Sequence, residues 1–138
     1  MMFKVSEKLH VAVLLLIELE KRQQQGDFLT LQALAEKYHV SAGYLEEIAG
    51  ALRKSQIIEG KQGPGGGYRL ATPANTLTLE AVCAAVEKDL RLVACQSAGH
   101  ECPAESVCHS KHLWNAFSTH INQFLQNTTL ADMARQSL

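Results

Sequence analysis

Three cysteines lie close together in the second half of the chain, and they are the residues best suited to chemistry. Six residues separate Cys95 from Cys102, and five separate Cys102 from Cys108. Thiolates are ligands for iron–sulfur clusters, zinc and copper, and histidine imidazoles near them add donors of the same chemistry. The pattern therefore predicts a metal site, or a site of thiol chemistry, in this part of the chain.

The spacing leaves the identity of the metal group open. Structural zinc sites typically use closely spaced ligand pairs and bacterial ferredoxins a run of closely spaced cysteines, and this segment has neither pattern. Three cysteines leave one coordination position for another ligand, which suits a labile cluster in a sensor. His109 and His112 are near enough to Cys108 to supply it, and His10 on the first predicted helix can reach the cysteine segment of a partner subunit. Free or zinc-bound thiols are the alternative.

The four cysteines also indicate the compartment. The apolar run at residues 11–17 is followed by charged residues without a small-residue cleavage site, so it predicts a helix and not a signal peptide. No stretch approaches the ~20 apolar residues that a membrane span needs. Clustered cysteines in a reducing cytoplasm more often bind metal or do redox work than form structural disulfides. We therefore expect a cytoplasmic protein without a membrane span, with Cys83 as a small core residue inside an apolar helix.

The elements that must position the cysteines are mainly helical. Apolar residues recur at helical spacing over residues 6–24, 31–38 and 42–54. Ser6 is the expected N-cap of the first segment, and Thr30 and Ser41 are the expected N-caps of the second and third. Two short helices joined by a tight turn predict a helix-turn-helix, with the second as the recognition helix.

Short strands are expected at residues 57–59 and 68–70, on either side of a glycine-rich stretch, and together they predict a β-hairpin wing. Further helices are expected at residues 79–88 and 112–127. In the longer one Trp114, Phe117, Ile121 and Phe124 alternate spacings of three and four, as in a coiled-coil seam.

The predicted fold class is thus mainly α with a small β-hairpin. It comprises a winged helix-turn-helix DNA-binding region at residues 1–75. The region at residues 76–138 contains a helix, the cysteine segment at about residues 92–112 and a long C-terminal helix.

The recognition helix and wing carry the residues expected to contact DNA. The whole chain has a net charge of −1, but residues 53–69 hold four bases against one acid, a local net of +3. Basic side chains attract phosphates whatever the DNA sequence, and Glu46 can accept a hydrogen bond from cytosine N4. A winged helix used only for protein contact is the alternative. The residues predicted to contact DNA are Ser41, Tyr44, Glu46, Arg53, Lys54, Lys61, Gln62, Gly65, Gly66, Gly67, Tyr68 and Arg69.

Several motifs together resemble one known family. They are SAGYLE at residues 41–46, LRK at 52–54, GPGGGYRL at 63–70, the cysteine triplet, and the long helix that ends at TLAD, residues 129–132. In these the chain is similar to the Rrf2 family of winged-helix regulators, in particular to the iron–sulfur regulators of the IscR and NsrR type.

The resemblance implies a homodimer that binds a double-stranded DNA operator, with the long C-terminal helix as the dimerisation element. It also implies an iron–sulfur cluster, either 2Fe-2S or 4Fe-4S, near the dimer interface. Such proteins regulate transcription in response to iron–sulfur status, redox state or nitric oxide.

The chain departs from the family pattern at the fourth ligand and in the wing. IscR-like members carry a histidine three residues after the last cysteine, where this chain has Lys111. Other members take that ligand from the first helix of the other subunit, at the position of His10. The resemblance therefore favours His10, then His112, then His109. Gln62 replaces the wing arginine of the family, which implies a changed operator preference.

The sequence thus predicts a DNA-binding transcription regulator controlled by a cluster on Cys95, Cys102 and Cys108. One rival is a cluster-free regulator in which the same cysteines form a disulfide or sulfenate switch. Another is a metal-stapled protein-interaction module or electron carrier without DNA binding. No nucleophile–base arrangement or nucleotide motif indicates an enzyme.

Overall fold

The first helix supplies a large share of the hydrophobic core. The computed structural model describes residues 5–23, 27–87, 103–136 and 138. Helix α1 (Glu7–Gln23) begins after Ser6, whose hydroxyl oxygen accepts a hydrogen bond from the N–H of Leu9 at 3.1 Å. This confirms Ser6 as the N-cap, while residue 24, the predicted end of the helix, lies outside the described residues.

The helix-turn-helix follows the predicted boundaries. Helix α2 spans Leu31–Tyr38 and helix α3 spans Ala42–Lys54. The side chains of Thr30 and Ser41 each accept a hydrogen bond from the backbone N–H three residues later. This is the N-cap geometry that Thr and Ser favour. His39 ends α2 in the left-handed conformation with a φ of 55°, so the turn between the helices is tight.

A half-buried carboxylate joins α2 to α1. Glu18 Oε1 accepts hydrogen bonds from Lys37 Nζ at 2.8 Å and from the Tyr38 hydroxyl at 2.7 Å. Burial disfavours the charged carboxylate, but the two hydrogen bonds and the positive charges of Lys37 and Lys21 together outweigh that cost and hold the pKa of Glu18 below its ordinary value. The first helix of the helix-turn-helix is therefore held against α1 by polar contacts as well as by apolar packing.

The predicted wing is present as an antiparallel pair of strands. Strand β1 spans Ile58–Lys61, strand β2 spans Gly67–Leu70, and Glu59 lies opposite Arg69. Strand β1 begins one residue and ends two residues later than predicted, whereas β2 contains the predicted strand and begins one residue earlier. Leu29, which lies two residues before α2, forms an additional antiparallel β-bridge with Tyr68. The wing is thereby fixed to the segment that leads into the helix-turn-helix.

Three helices follow the wing in the described residues. Helix α4 spans Leu79–Val86, helix α5 spans Lys111–Asn127 and helix α6 spans Leu130–Arg135. Helix α4 ends before the predicted residue 88 because Glu87 takes an extended conformation. Thr129 and Asp132 form a capping box at the start of α6.

One hydrophobic core draws on both predicted regions of the chain. Leu16 and Ile48 from the first region share it with Val82 and Leu130 from the second. Helix α5 contributes no buried residue, although all of its residues are described. Within the described residues, no helix combines the length and apolar character needed to cross a membrane.

Gly67 tests whether the wing is docked as described. Its φ is +136°, and a Cβ there would overlap the carbonyl oxygen of Leu29. We expect Gly67→Ala to lower the free energy of unfolding by about 2 kcal/mol, through backbone strain and overpacking. Urea denaturation would measure the change.

Gly50→Ala is the matched control. Gly50 lies inside α3, and a Cβ there would meet nothing within 4 Å. Alanine should therefore raise stability by about 0.5–1 kcal/mol through its higher helix propensity. Unchanged stability in Gly67→Ala would contradict the docked position of the wing.

Candidate nucleic-acid interface and metal centre

The recognition helix presents polar side chains from its first turns. Ser41, the N-cap of α3, is exposed, and its hydroxyl oxygen accepts the N–H of Tyr44 at 3.1 Å. Glu46 is also exposed, and Arg53 and Lys54 extend from the last turn of α3. The described geometry thus leaves the polar and basic side chains predicted on this helix accessible to a nucleic acid.

Tyr44 differs from the other predicted contacts on α3. Its ring is half-buried against the core. Burial, together with the nearby carboxylates of Glu7, Glu47 and Glu87, raises the pKa of the Tyr44 hydroxyl. Because carboxylates repel phosphate, Ser41 has the more favourable surroundings for a phosphate contact.

The wing exposes its tip and packs its base against the protein. Lys61, Gln62 and Gly65 are exposed, whereas Gly66 and Gly67 are half-buried. A Cβ on Gly66 would overlap the carbonyl oxygen of Lys61, and one on Gly67 would overlap that of Leu29. These last two glycines are therefore required for close packing within the hairpin and against its neighbour, whether or not they approach DNA.

The positive charges of the wing have partners that the sequence reasoning missed. Arg69 forms an ion pair with Glu59, and its guanidinium lies 4.8 Å from the centroid of the Phe28 ring. Lys61 Nζ lies 5.7 Å from the same centroid. The sequence shows that Phe28 lies two residues before the N-cap Thr30. It does not show that the segment around Phe28 pairs with a strand of the wing.

Cys108 is the one described member of the cysteine triplet, because Cys95 and Cys102 lie outside the described residues. It follows a short 3-10 turn at Glu105–Val107 and lies just before α5. Its sulfur is 3.3 Å from the Ser110 hydroxyl, and this hydrogen bond lowers the pKa of the Cys108 thiol. Cys108 is half-buried, so this thiol with a lowered pKa is also partly accessible to solvent.

The candidate histidine ligands are all exposed. His109 and His112 flank the start of α5 beside Cys108, and His10 lies on α1. Among the described residues, no three His, Cys, Asp or Glu side chains form a metal-binding group. Cys108 with its neighbouring imidazoles nevertheless has the donor chemistry that an iron–sulfur cluster requires, so the part of the site that is described fits such a group.

Cys83 differs from Cys108 in every property that matters for reactivity. It is buried inside α4, where burial raises the pKa of its thiol to about 11. A buried, protonated thiol is a poor nucleophile and a poor ligand. Cys83 is thus a core residue, as predicted.

Comparison with known proteins supplies the class and the family. A family model described as an iron-dependent transcriptional regulator, Rrf2, matches residues 5–136. The transcriptional regulator IscR of Vibrio campbellii is 31% identical over 134 residues, which cover 97% of this chain and 79% of that protein. A putative transcriptional regulator of Neisseria meningitidis is 32% identical over 133 residues, covering 96% of this chain and 88% of the relative.

Solved structures have the same fold over most of the chain. CymR, the global cysteine regulator of B. subtilis, has a TM-score of 0.79 and 26% identity, with 98% of each chain covered. CymR of Staphylococcus aureus in an oxidized form has a TM-score of 0.74 and 30% identity, with 96% of each chain covered.

The fold and these matches define a winged helix-turn-helix transcriptional regulator that binds DNA and is not an enzyme. The chain belongs to the Rrf2 family.

The reactivity of Cys108 tests the hydrogen bond from Ser110. Because that bond favours the thiolate, alkylation of Cys108 by iodoacetamide should begin at a lower pH than for an ordinary thiol. Ser110→Ala should raise the pKa of Cys108 and slow its alkylation at neutral pH. Mass spectrometry of the Cys108 peptide would give the rate, with Cys83 as the unreactive internal control. An equal rate in the variant would contradict the role of Ser110.

Proposed function

We propose that this protein is a homodimeric transcriptional regulator whose operator affinity is controlled by an iron–sulfur cluster. Cys95, Cys102 and Cys108 would hold the cluster, with His10, His112 or His109 as the fourth ligand. The observation that carries the proposal is Cys108, a partly accessible thiol with a lowered pKa at the start of α5, in a protein of a family described as iron-dependent. We propose the cytoplasm as its location.

The DNA-binding surface comprises the recognition helix and the wing. The exposed side chains of Arg53, Lys54 and Lys61 supply phosphate attraction that does not depend on the base sequence. Glu46 and Ser41 stand at the start of α3, where side chains reach base edges in the major groove. Gln62 at the tip of the wing replaces a charged contact with a neutral one.

The cysteine segment has the chemistry of a sensor. An iron–sulfur cluster supplies reversible electron transfer and a site that nitric oxide or oxidants attack. Cys95, Cys102 and Cys108 would contribute thiolates to hold it, and the Ser110 hydroxyl would stabilise the one at Cys108. A non-cysteine fourth ligand would leave the group more easily lost, which suits a response to iron–sulfur status, redox state or nitric oxide.

A contact at the end of α4 links this segment to the DNA-binding surface. Glu87 is the last described residue before the cysteine segment, and it accepts a hydrogen bond from the Ser6 hydroxyl at the start of α1. Nearby, Lys8 of α1 forms an ion pair with Glu47 of α3 at 3.6 Å. Changes in the cysteine segment therefore have a chain of contacts to the recognition helix, and the ligand state would shift operator affinity by favouring one of two arrangements.

The long helix provides the surface for a second copy of the chain. In the predicted seam of α5, a helix without buried residues, Phe117 is 40% exposed and Phe124 is 52% exposed. Large apolar side chains on the predicted seam are expected to pack against the same helix of a partner. A dimer would also present two recognition helices to a two-fold operator.

A cluster-free thiol switch is the second candidate. It is favoured by the lowered pKa of Cys108 and by the likeness to S. aureus CymR, which was solved in an oxidized form. In this case, an oxidant such as a peroxide would convert the Cys108 thiolate to a sulfenate, and Cys95 or Cys102 would displace water to form a disulfide.

The first prediction of this proposal concerns the cluster. Protein purified without oxygen should be coloured and contain iron and sulfide in stoichiometric amounts. Cys102→Ala should lose both, whereas Cys83→Ala should keep them because Cys83 is a core residue. A changed visible spectrum in His10→Ala would locate the fourth ligand on α1.

Operator binding distinguishes the two candidates. With a duplex selected from a random library, holo and apo protein should differ in affinity by about tenfold or more at matched salt. Equal affinities would contradict control by a cluster. Colourless, iron-free protein even after anaerobic reconstitution, with affinity that responds to peroxide, would support the thiol switch.

The second prediction concerns the dimer. Phe124→Lys should shift the protein towards a monomer in sedimentation velocity, because it would bury a charge in the proposed seam. Asn122→Lys, an exposed position on the polar side of α5, is the matched control and should leave the dimer intact. A wild-type monomer, or a dimer unaffected by Phe124→Lys, would contradict this interface.

A further inference from the structure

The ring of Phe28 lies beside two basic side chains of the wing. Arg69 Cζ is 4.8 Å and Lys61 Nζ is 5.7 Å from the ring centroid, both within the range of a cation–π interaction. Phe28 is half-buried, whereas Lys61 and Arg69 are exposed. The ring of Phe28, in the segment that leads into the helix-turn-helix, thus contacts two basic side chains that belong to the wing.

The strand register explains why these side chains meet. Leu29 pairs with Tyr68 in an antiparallel bridge, so the residue before Leu29 lies opposite Arg69. On its other side, Arg69 lies opposite Glu59. Phe28, Arg69 and Glu59 therefore form one row across three adjacent backbone segments, with the arginine in the middle. Lys61 is the diagonal neighbour of Arg69 on the same face.

The two partners of Arg69 have different effects on its charge. The carboxylate of Glu59 neutralises part of the positive potential, whereas the ring of Phe28 attracts a cation without cancelling its charge. Two cations against one carboxylate leave this corner of the wing with a net positive charge. Two like charges held over one ring repel each other, and a phosphate bound between them would relieve that repulsion.

We propose that Phe28 is a positioning residue for phosphate contacts made by the wing. The ring restricts the long side chains of Lys61 and Arg69 before DNA arrives, so less conformational entropy is lost on binding. The inference rests on the proposed DNA-binding surface and adds to it a residue that contacts no DNA itself.

The test uses a short random-sequence DNA duplex, because phosphate contacts do not require the operator. Fluorescence anisotropy over a series of salt concentrations would give the affinity and its salt dependence. Phe28→Leu should weaken binding by about two- to fivefold, and Phe28→Tyr, which keeps the aromatic face, should bind like wild type. Phe28→Met is the second apolar variant if leucine does not fold.

A double-mutant cycle separates positioning from a general structural role. In the background Lys61→Gln with Arg69→Gln, the change Phe28→Leu should have no further effect on affinity, since its targets are gone. A purely structural role would cost the same in both backgrounds and would lower the melting temperature. Arg135→Gln, which removes a cation from α6, is the control and should leave the affinity unchanged.

The outcomes distinguish this inference from the function on which it rests. Wild-type protein that does not bind the duplex in a salt-dependent way would overturn both. Wild-type binding with unchanged affinity in Phe28→Leu and Phe28→Met, or an equal loss in both backgrounds of the cycle, would overturn the positioning role alone.

Discussion

Two backbone hydrogen bonds between Leu29 and Tyr68 hold the wing against the entrance to the helix-turn-helix. The N–H of Leu29 donates to the Tyr68 carbonyl at 2.9 Å, and the N–H of Tyr68 donates back at 2.8 Å. The N–H of Leu70 also donates to Gln23 Oε1 at the end of α1. With these contacts the wing and the recognition helix form one unit. A change in operator affinity is therefore not expected to come from movement of the wing relative to the recognition helix. It would come from a change in how two such units are placed on DNA.

The end of the chain fixes α5 to that unit. The N–H of Leu130 donates to the Leu77 carbonyl at 2.8 Å, and the N–H of Ala131 donates to the Ala74 carbonyl at 3.0 Å. Helix α6 is thus tied to the segment that joins the wing to α4, and Leu130 is fully buried. Because α5 ends where α6 begins, its far end is anchored, while its start follows Cys108. In a dimer built on α5, a rearrangement at the cysteine segment would act at the start of this helix, next to Cys108.

Local features were predictable from the sequence, and contacts between distant segments were not. The caps Ser6, Thr30 and Ser41 were predicted because a cap depends on residues only three positions away. The fold class and family followed from helical periodicity and the glycine wing. The row of Phe28, Arg69 and Glu59 was missed because it depends on a register between segments about forty residues apart, which no local pattern specifies.

The same limit applies to the metal ligands. The spacing of the cysteines indicates the donor chemistry, but the fourth ligand of the proposed cluster would depend on which side chain the proposed dimer brings near. The structure separates Cys83 from Cys108 by burial, which the sequence indicated only through the apolar neighbours of Cys83. It places Cys108 beside Ser110, a partner that the spacing of the cysteines did not identify.

The proposed cluster and the proposed thiol switch differ in their sulfur chemistry, but both would act on DNA binding through the same contacts. Ser6 caps α1 and also donates to Glu87, so the last residue before the cysteine segment bears on the first turn of α1. If a change at the cysteines moved Glu87, the Ser6 hydroxyl would lose its acceptor. The ion pair between Lys8 of the same helix and Glu47 of α3 would then be altered as well. Either chemistry can control DNA binding only if its free energy differs between the two arrangements of the protein. The free-energy effect of DNA on the sulfur chemistry must then equal the effect of the sulfur chemistry on DNA binding. Operator DNA should therefore change how tightly the cluster, or the disulfide, is held.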